Sequence, residues 1–344
     1  VQPLEFERPA VPGLVSVIVP TRSAEKYIGA TLASLGQQVY RDWELVVVED
    51  GSTGSTAEIV ANFAQSVDQP VHYFRNDRSY GAGYTRNLAF SKSAGEFIAL
   101  LDSDDRWLPD HLADSVSTLH SSGADIVYST VQMVADGTDE VIGVWGPTEL
   151  ELQQFPQSIL GRSFVTPSAT VLRRQVLADV GAWSTTHRYC EDYDYWLRCI
   201  AAGKIFQFVE GIHCLYRKNH DGATTQKLCG LLEEVAMTTE RYMHMPGLQV
   251  AVCRQYAIEA HRLAARFHRQ SDLQTDPSAS PTRAGRILLR AWRLEPRVKT
   301  LFDGLRVHVA ENLKLHRPKS QVPPPDPFRQ SIVPTQTQRN RSVA

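Results

Sequence analysis

The sequence predicts an α/β protein built on a mostly parallel sheet with helices on both faces. Two observations carry that expectation. Short apolar runs rich in β-branched residues recur at 14–19 (LVSVIV), 43–48 (WELVVV), 71–74 (VHYF) and 97–101 (FIALL). Between them, residues 24–37, 54–65 and 81–93 carry apolar side chains three and four apart, the period of a helix. Strands that alternate with helices must cross over the sheet to pair in parallel, which puts a helix on each face.

The later elements follow in order. Residues 1–13 read as an N-terminal extension before the first strand. Pro109–Ser122 predicts a further helix, and DIVYSTVQMV and VIGVW predict strands. The stretch 147–168 gives little regular signal. From Ala169 the order returns: a strand (ATVLRR), a helix over Arg174–Val180, a helix from about Asp192 to Ala202, and a strand KIFQFV. Residues 14–225 are thus expected to form the main unit. Beyond it, 226–317 is expected to be a helical region, with amphipathic helices at 227–245 and 248–270, a Ser- and Pro-containing linker (SDLQTDPSASPTR) and a basic segment from Arg283 to Lys299. Residues 318–344 are rich in Pro and Gln, a composition too poor in apolar residues to fold alone.

Composition bounds the function. With 42% hydrophobic and 22% charged residues the chain has the balance of an ordinary globular protein. Lys plus Arg total 36 against 38 Asp plus Glu, a net charge of -2, so no global charge points to nucleic acid as a partner. Five cysteines without a CxxC pair suit a reducing compartment. No apolar run approaches the roughly 18 residues of a bilayer span, and the first twenty residues lack the pattern of a signal peptide. The expected address is cytoplasmic.

The chemistry is expected at the carboxyl ends of the strands, where open parallel sheets bind ligands. Two acidic groups stand there: Glu49 and Asp50 after WELVVV, and Asp102, Asp104 and Asp105 after FIALL. Three carboxylates within four positions repel one another unless a cation is near. Asp-x-Asp suits a hard divalent ion that takes one or two protein carboxylates and completes its shell with phosphate and water. A solvated turn with an N-capping Asp is the alternative for the acidic stretch. Asp50 opens a Gly- and Ser-rich turn, where it could accept from a base or ribose or simply cap the next helix. PTRSAEKY brings Arg22 to the same rim, and NDRSYGAGYTRN adds Arg78 and Arg86, guanidinium groups suited to phosphate, beside a Gly-rich loop.

Three blocks in order, VSVIVPTRSAEKYIGATLASLGQQVYRDWELVVVEDGSTGST, GAGYTRNLAFSKSAGEFIALLDSDDRWLP and VGAWSTTHRYCEDYDYWLRCIAAG, resemble the family 2 glycosyltransferases of the GT-A fold over about residues 14–225. The resemblance implies transfer of a sugar, with inversion, from a nucleotide diphosphate sugar, UDP-linked by default, to an acceptor hydroxyl. It implies that Pro20, Thr21, Arg22 and Asp50 contact base and ribose, joined by Arg86, Asp102 and Ser103 in the nucleotide site. Asp104 is then the direct ligand of Mn²⁺ or Mg²⁺, assisted by Asp102 and by His220 of HCLYRKNH, with Arg217 in support. Asp192 of CEDYDYWLR is implied as the general base, with Glu191 beside it as the second catalytic candidate. Helix starts favour acidic residues for dipole reasons alone, which is the competing account of that cluster.

Related folds fit less well. A phosphatase of the Asp-x-Asp type would need its nucleophile after the first strand, where Pro20 and Thr21 stand. A sugar-nucleotide pyrophosphorylase, a nucleotidyltransferase of the same layout, would carry a Gly-rich basic loop that PTRSAEKY does not resemble. A sugar-nucleotide-binding protein without glycosyl transfer stays open as the alternative, and the presence of Asp104 together with Asp192 argues against it. The expected acceptor is a glycan, a lipid-linked sugar or a protein, in polysaccharide, glycolipid or glycoconjugate synthesis. The helices after 226 are expected to shape the acceptor site or form a homodimer. For 283–301 two uses stay open: peripheral association with the inner face of an anionic membrane, or, preferred here, an amphipathic helix folded onto the core.

Overall fold

The structure is a computed structural model that describes residues 3–218, 227–246, 248–270, 276, 279 and 281–294. Among the described residues nine strands form one sheet. Its leading half is β1 (Val11–Thr21), β2 (Trp43–Glu49), β3 (Val71–Arg75) and β4 (Gly95–Leu100), all parallel, in the order β3-β2-β1-β4. Helices α1 (Ile28–Gly36), α2 (Thr56–Ala64) and α3 (Ala82–Lys92) make the crossovers. All seven residues of β2 are buried, which is why that central strand reads as a mostly apolar run, with Glu44 and Glu49 near its ends, rather than an alternating one.

The second half is mixed. After the two-residue β5 (Arg106–Trp107) and α4 (His111–Ser122) come β6 (Ile126–Ala135), β7 (Val141–Trp145), a short α5 (Glu149–Gln153), β8 (Thr170–Arg173), α6 (Arg174–Val180), α7 (Glu191–Ala201) and β9 (Phe206–Lys218). Strand β8 runs antiparallel between β4 and β6, and β9 is parallel to β6 along its length, so the order continues β4-β8-β6-β9-β5. The antiparallel ladders are short; the long ones are parallel. Strand β7 pairs only with β6 among the described strands, and its Val141, Ile142 and Val144 are exposed. The stretch 147–168 holds α5, closed by a Thr148–Glu151 capping box, and a 3-10 turn at Gln157–Leu160.

At the end of the sheet away from the acidic turn, Glu44 is buried with its carboxylate held by Arg8 at 2.6 Å, Ser16 at 2.6 Å and the Ala94 amide at 2.6 Å. The described part of the extension expected at 1–13, residues 3–13, is therefore part of the fold, and β1 begins at Val11. After β9 come α8 (Leu228–Tyr242), α9 (Val250–Gln270) and α10 (Pro281–Leu294). Ala236, Ala264, Ala265, Ala284, Ile287 and Leu288 pack them into one cluster. The described part of the basic segment is thus a helix folded onto its neighbours by its apolar face, with Arg286, Arg290 and Arg293 exposed. Residues 295–301, and the tail expected at 318–344, lie outside the described residues.

Candidate active site

The rim at the strand ends collects the residues named from sequence. Thr21 ends β1 and its carbonyl accepts from the Asp50 amide at 2.7 Å; Pro20 pairs with Val48 in the sheet, and Arg22 is exposed just beyond. Asp50 is 5% exposed and accepts four hydrogen bonds: Asn76 at 2.8 Å, Ser79 at 2.6 Å, the Tyr80 amide at 2.9 Å and the Gly81 amide at 2.9 Å. Burial opposes its ionisation, but Ser79, Tyr80, Asn76 and Gly81 together hold the carboxyl below its usual range. A carboxylate offers about four lone-pair positions, so Asp50 is engaged in clamping the 76–81 loop. On that loop Arg78 lies 5.0 Å over the Tyr80 ring, which stacks on Tyr84 at 4.5 Å.

The Gly-rich pair has a packing explanation. Gly81 has φ +93°, a conformation that favours glycine, and a Cβ on Gly83 would lie 2.1 Å from the Ser184 carbonyl oxygen. Helix α3 therefore approaches the segment before α7 closely. Asn87 fastens it there, donating to the Trp183 carbonyl at 2.9 Å and accepting from the Trp183 amide at 2.8 Å.

The acidic stretch is a tight turn: the Asp105 amide donates to the Asp102 carbonyl at 3.1 Å. Ser168 supports it through the Asp102 amide at 3.0 Å, and Thr31 donates to the Ser103 carbonyl at 2.9 Å. The three carboxylates differ. Asp105 is 1% exposed and accepts from the Arg217 amide at 2.8 Å, tying β9 to the turn. Burial and the charges of Asp104 and Asp102 push its pKa well up. Asp104 is partly exposed, and burial together with the charge of Asp102 raises its carboxyl to about 6. Asp102 accepts from Arg86 at 2.7 Å. Asp110 makes no capping hydrogen bond with its side chain, so a simple helix cap does not explain the acidic run.

Arg86 is the centre of the arrangement. Its guanidinium is 6% exposed, lies 4.9 Å over the Trp183 ring, and donates to Asp102 at 2.7 Å and to Glu191 at 2.8 Å. Burial alone would favour loss of its proton, but Asp102 and Glu191 push its pKa up and keep it charged. One cation therefore joins the turn after β4 to the first residue of α7. Next to Glu191, Asp192 is partly buried, and burial followed by the charge of Glu191 raises its carboxyl to about 7. Arg217, expected in support of the metal or diphosphate, donates through Nε to the Asp104 carbonyl at 3.2 Å, and its guanidinium also lies within 3.1 Å of Asp139 and 3.7 Å of Asp136 on the β6–β7 turn. His220 lies outside the described residues.

Helix α8 contributes side chains that sequence reasoning missed. Glu234 accepts from the amides of Arg188 at 3.0 Å, Tyr189 at 2.8 Å and Cys190 at 3.2 Å. Thr238 meets His187 at 3.3 Å, Thr239 meets the Tyr193 hydroxyl at 3.0 Å, and the Tyr242 hydroxyl donates to Asp194 at 3.1 Å. The signal is the spacing of Glu234, Thr238 and Tyr242, polar tips four apart on one helix face.

Among the described residues no group of three or more His, Cys, Asp or Glu side chains is arranged to hold a metal. The donor chemistry nevertheless suits a hard divalent ion bound by few protein ligands: Asp102 and Asp104 are oxygen donors crowded into one turn, and burial with the charge of Asp102 raises the Asp104 carboxyl, a repulsion that a cation would relieve. No helix among the described residues is long and apolar enough to cross a membrane.

Comparison with known proteins agrees with this geometry. Residues 16–181 match the model of "Glycosyl transferase family 2". The glucosyltransferase WfgD of Escherichia coli, which by its name acts from UDP-Glc on α-D-GlcNAc-diphosphoundecaprenol, is 27% identical over 215 residues, 62% of this chain and 81% of that protein. An uncharacterized glycosyltransferase of Methanocaldococcus jannaschii is 26% identical over 215 residues, 62% of this chain and 72% of its own length. The structure of residues 1–349 of Staphylococcus aureus TarS with UDP-GlcNAc superposes with a TM-score of 0.63 at 20% identity, covering 88% of this chain and 93% of that one. A mannosyltransferase of Pyrobaculum calidifontis with GDP-Man and Mn²⁺ gives a TM-score of 0.55 at 18% identity, covering 91% and 89%. These likenesses show the GT-A fold, and over residues 16–181 the chain matches glycosyltransferase family 2.

Proposed function

We propose that the chain transfers a sugar, with inversion, from a UDP-sugar to an acceptor hydroxyl, with Asp192 as general base. The observation that carries this reading is Arg86, which holds Asp102 at the donor rim and Glu191 beside the candidate base through hydrogen bonds of 2.7 and 2.8 Å. The donor rim and the candidate base are thereby joined through one cation. Pro20, Thr21, Arg22, Asp50 and Ser103 form the nucleotide side. Asp50 does so mainly by fixing the 76–81 loop, so a direct contact with a base requires it to exchange one of its four present donors. Asp102 and Asp104 would hold Mn²⁺ or Mg²⁺, which supplies positive charge to the departing diphosphate.

Asp192 takes the proton of the acceptor hydroxyl as its oxygen attacks the anomeric carbon. The bond from that carbon to the diphosphate oxygen breaks on the opposite face, the diphosphate leaves with the electron pair, and the configuration inverts. A carboxyl raised to about 7 suits this work, because a base titrating near the operating pH couples availability to proton affinity. Glu191 keeps Arg86 in place and raises the proton affinity of Asp192 through its own charge. The acceptor we favour is a sugar carried on a lipid diphosphate, by analogy with what the name of the E. coli relative states, used at the cytoplasmic face of the membrane.

Calorimetric titration with UDP, GDP and dTDP, each with and without Mn²⁺, tests the donor site. Metal-dependent binding of UDP that is lost in Asp104→Ala supports the reading; equal binding with and without metal, or none at all, overturns it.

A further inference from the structure

Helix α8 follows the sheet in sequence, yet one of its faces is spent on the segment that delivers Asp192. We propose that Glu234 is a positioning residue for this base, which deepens the transferase reading and rests on it. The Glu234 carboxylate takes three successive backbone amides, those of Arg188, Tyr189 and Cys190, at 3.0, 2.8 and 3.2 Å. Successive amides converging on one anion form a nest, a geometry that holds the backbone in a single conformation. Those residues lead directly into α7, whose first turn carries Glu191 and Asp192.

The same face of α8 adds further ties on both sides of the nest. Thr239 donates to the Val235 carbonyl at 2.9 Å, which leaves its oxygen to accept from the Tyr193 hydroxyl at 3.0 Å. His187 meets Ser184 at 2.7 Å and Thr238 at 3.3 Å. The segment 184–194 is thereby clamped twice: from α3, through Asn87 and the close approach of Gly83, and from α8, through Glu234. Asp192 depends on both, because among the described residues its carboxylate accepts a local hydrogen bond, from the Tyr193 amide at 2.7 Å. Within that set the base is aimed by its backbone.

The test compares Glu234→Gln and Glu234→Ala in the full chain by two independent readouts. Amide hydrogen exchange is followed at 188–190, and release of UDP from UDP-glucose with Mn²⁺, water serving as acceptor, is set against UDP affinity. Loss of the nest is expected to speed exchange at 188–190 by about tenfold or more in the Ala variant, one lost hydrogen bond's worth of protection. A base displaced by about 1 Å loses up to about 100-fold in kcat. UDP affinity should stay within about twofold, and Gln, which keeps one carbonyl acceptor, should fall between Glu and Ala. Unchanged exchange at 188–190 overturns the inference whatever the activity. So does a fall of kcat and UDP affinity in step with a lowered Tm in both variants, which marks general destabilisation. Wild-type protein that neither binds UDP nor releases it from UDP-glucose would sink the donor reading instead, and the exchange result would still judge the nest.

Discussion

Replacing Arg86 by Met removes the charge and keeps most of the side-chain volume. Two charge-assisted hydrogen bonds, of 2.7 and 2.8 Å, disappear with the stack on Trp183. Hydrogen bonds to charged groups contribute about 1.5–3 kcal/mol, and a buried cation over an aromatic ring about 0.5–2. The partners differ in access to water: the Glu191 side chain is 13% exposed and the Asp102 side chain 28%. Asp102 can rehydrate, so we count about 1 kcal/mol for it, about 3 for Glu191 and about 1 for the stack, and return about 1 for the new apolar contact. The net loss is about 4 kcal/mol, within the range for breaking a buried pair. At about 2–4 °C per kcal/mol the melting temperature should fall by roughly 10 °C, measurable by calorimetry or urea unfolding. If uncompensated charge is the cause, Arg86→Met with Glu191→Gln should recover about 1–2 kcal/mol of the loss. Arg86→Lys should fall between, because an ammonium is a point charge and lacks the planar fork that spans two carboxylates. A loss below about 1 kcal/mol, or no recovery in the double variant, would refute the account of Arg86 as a bridge.

Three further outcomes follow from other positions. Because the Asp192 carboxyl is raised to about 7, kcat should climb about tenfold per pH unit below that value and level above it, and Asp192→Asn should lose about 10²–10⁴-fold. The raised pKa also means that Asp192 adds stability below its unfolded value of 3.8, a contribution lost as pH rises through about 7, so Asp192→Asn should gain Tm relative to wild type at pH 8 and not at pH 4. Gly51→Ala places a Cβ 2.3 Å from the Arg78 carbonyl carbon at φ +74°; left-handed strain of about 1–2 kcal/mol plus loosening of the Asp50 clamp should cost about 3 kcal/mol and weaken UDP binding in a titration. Glu44 is buried, a cost that its bonds to Ser16, the Ala94 amide and Arg8 outweigh, so its pKa is lowered; the stability it adds is present above 4.5 and lost as pH falls through its lower folded value. Arg8→Ala should cost about 1–2 kcal/mol by urea unfolding at pH 7, a figure discounted because Arg8 is 40% exposed, and less at pH 3.

The parallel core was legible because burial on both faces writes itself as near-continuous apolar letters, as in FIALL at β4. Strand β9 was read only to Val209, since Glu210 and Gly211 look like a terminus. The strand instead shifts register against β6 between Ser129 and Val131, with Gly211 at φ +102°, and runs on to Lys218. Strand β5 is two residues long, too short to show a period. At the site, residue types and strand-end positions were legible and partnerships were not. Arg86 reads as a phosphate contact because its two carboxylates lie 16 and 105 positions away. The run of acids hides that Asp105 turns inward to β9 while Asp104 stays partly exposed, and the spacing of Glu234, Thr238 and Tyr242 marks a polar face on α8 without naming its partner, the Tyr189 amide 45 positions back.

The exposed outer strand β7 carries a consequence for how the protein behaves in concentrated solution. A strand paired on one side presents unmatched amides and carbonyls along the other, and here the side chains beside them include Val141, Ile142 and Val144, each exposed. Such an edge is a template for strands of other molecules. What blunts it lies at its ends: Glu140 puts a charge at its entry, Gly143 weakens its middle, and the turn into the Thr148 capping box cuts it off after five residues. Among the described residues, brevity and this flanking charge guard the border against self-association.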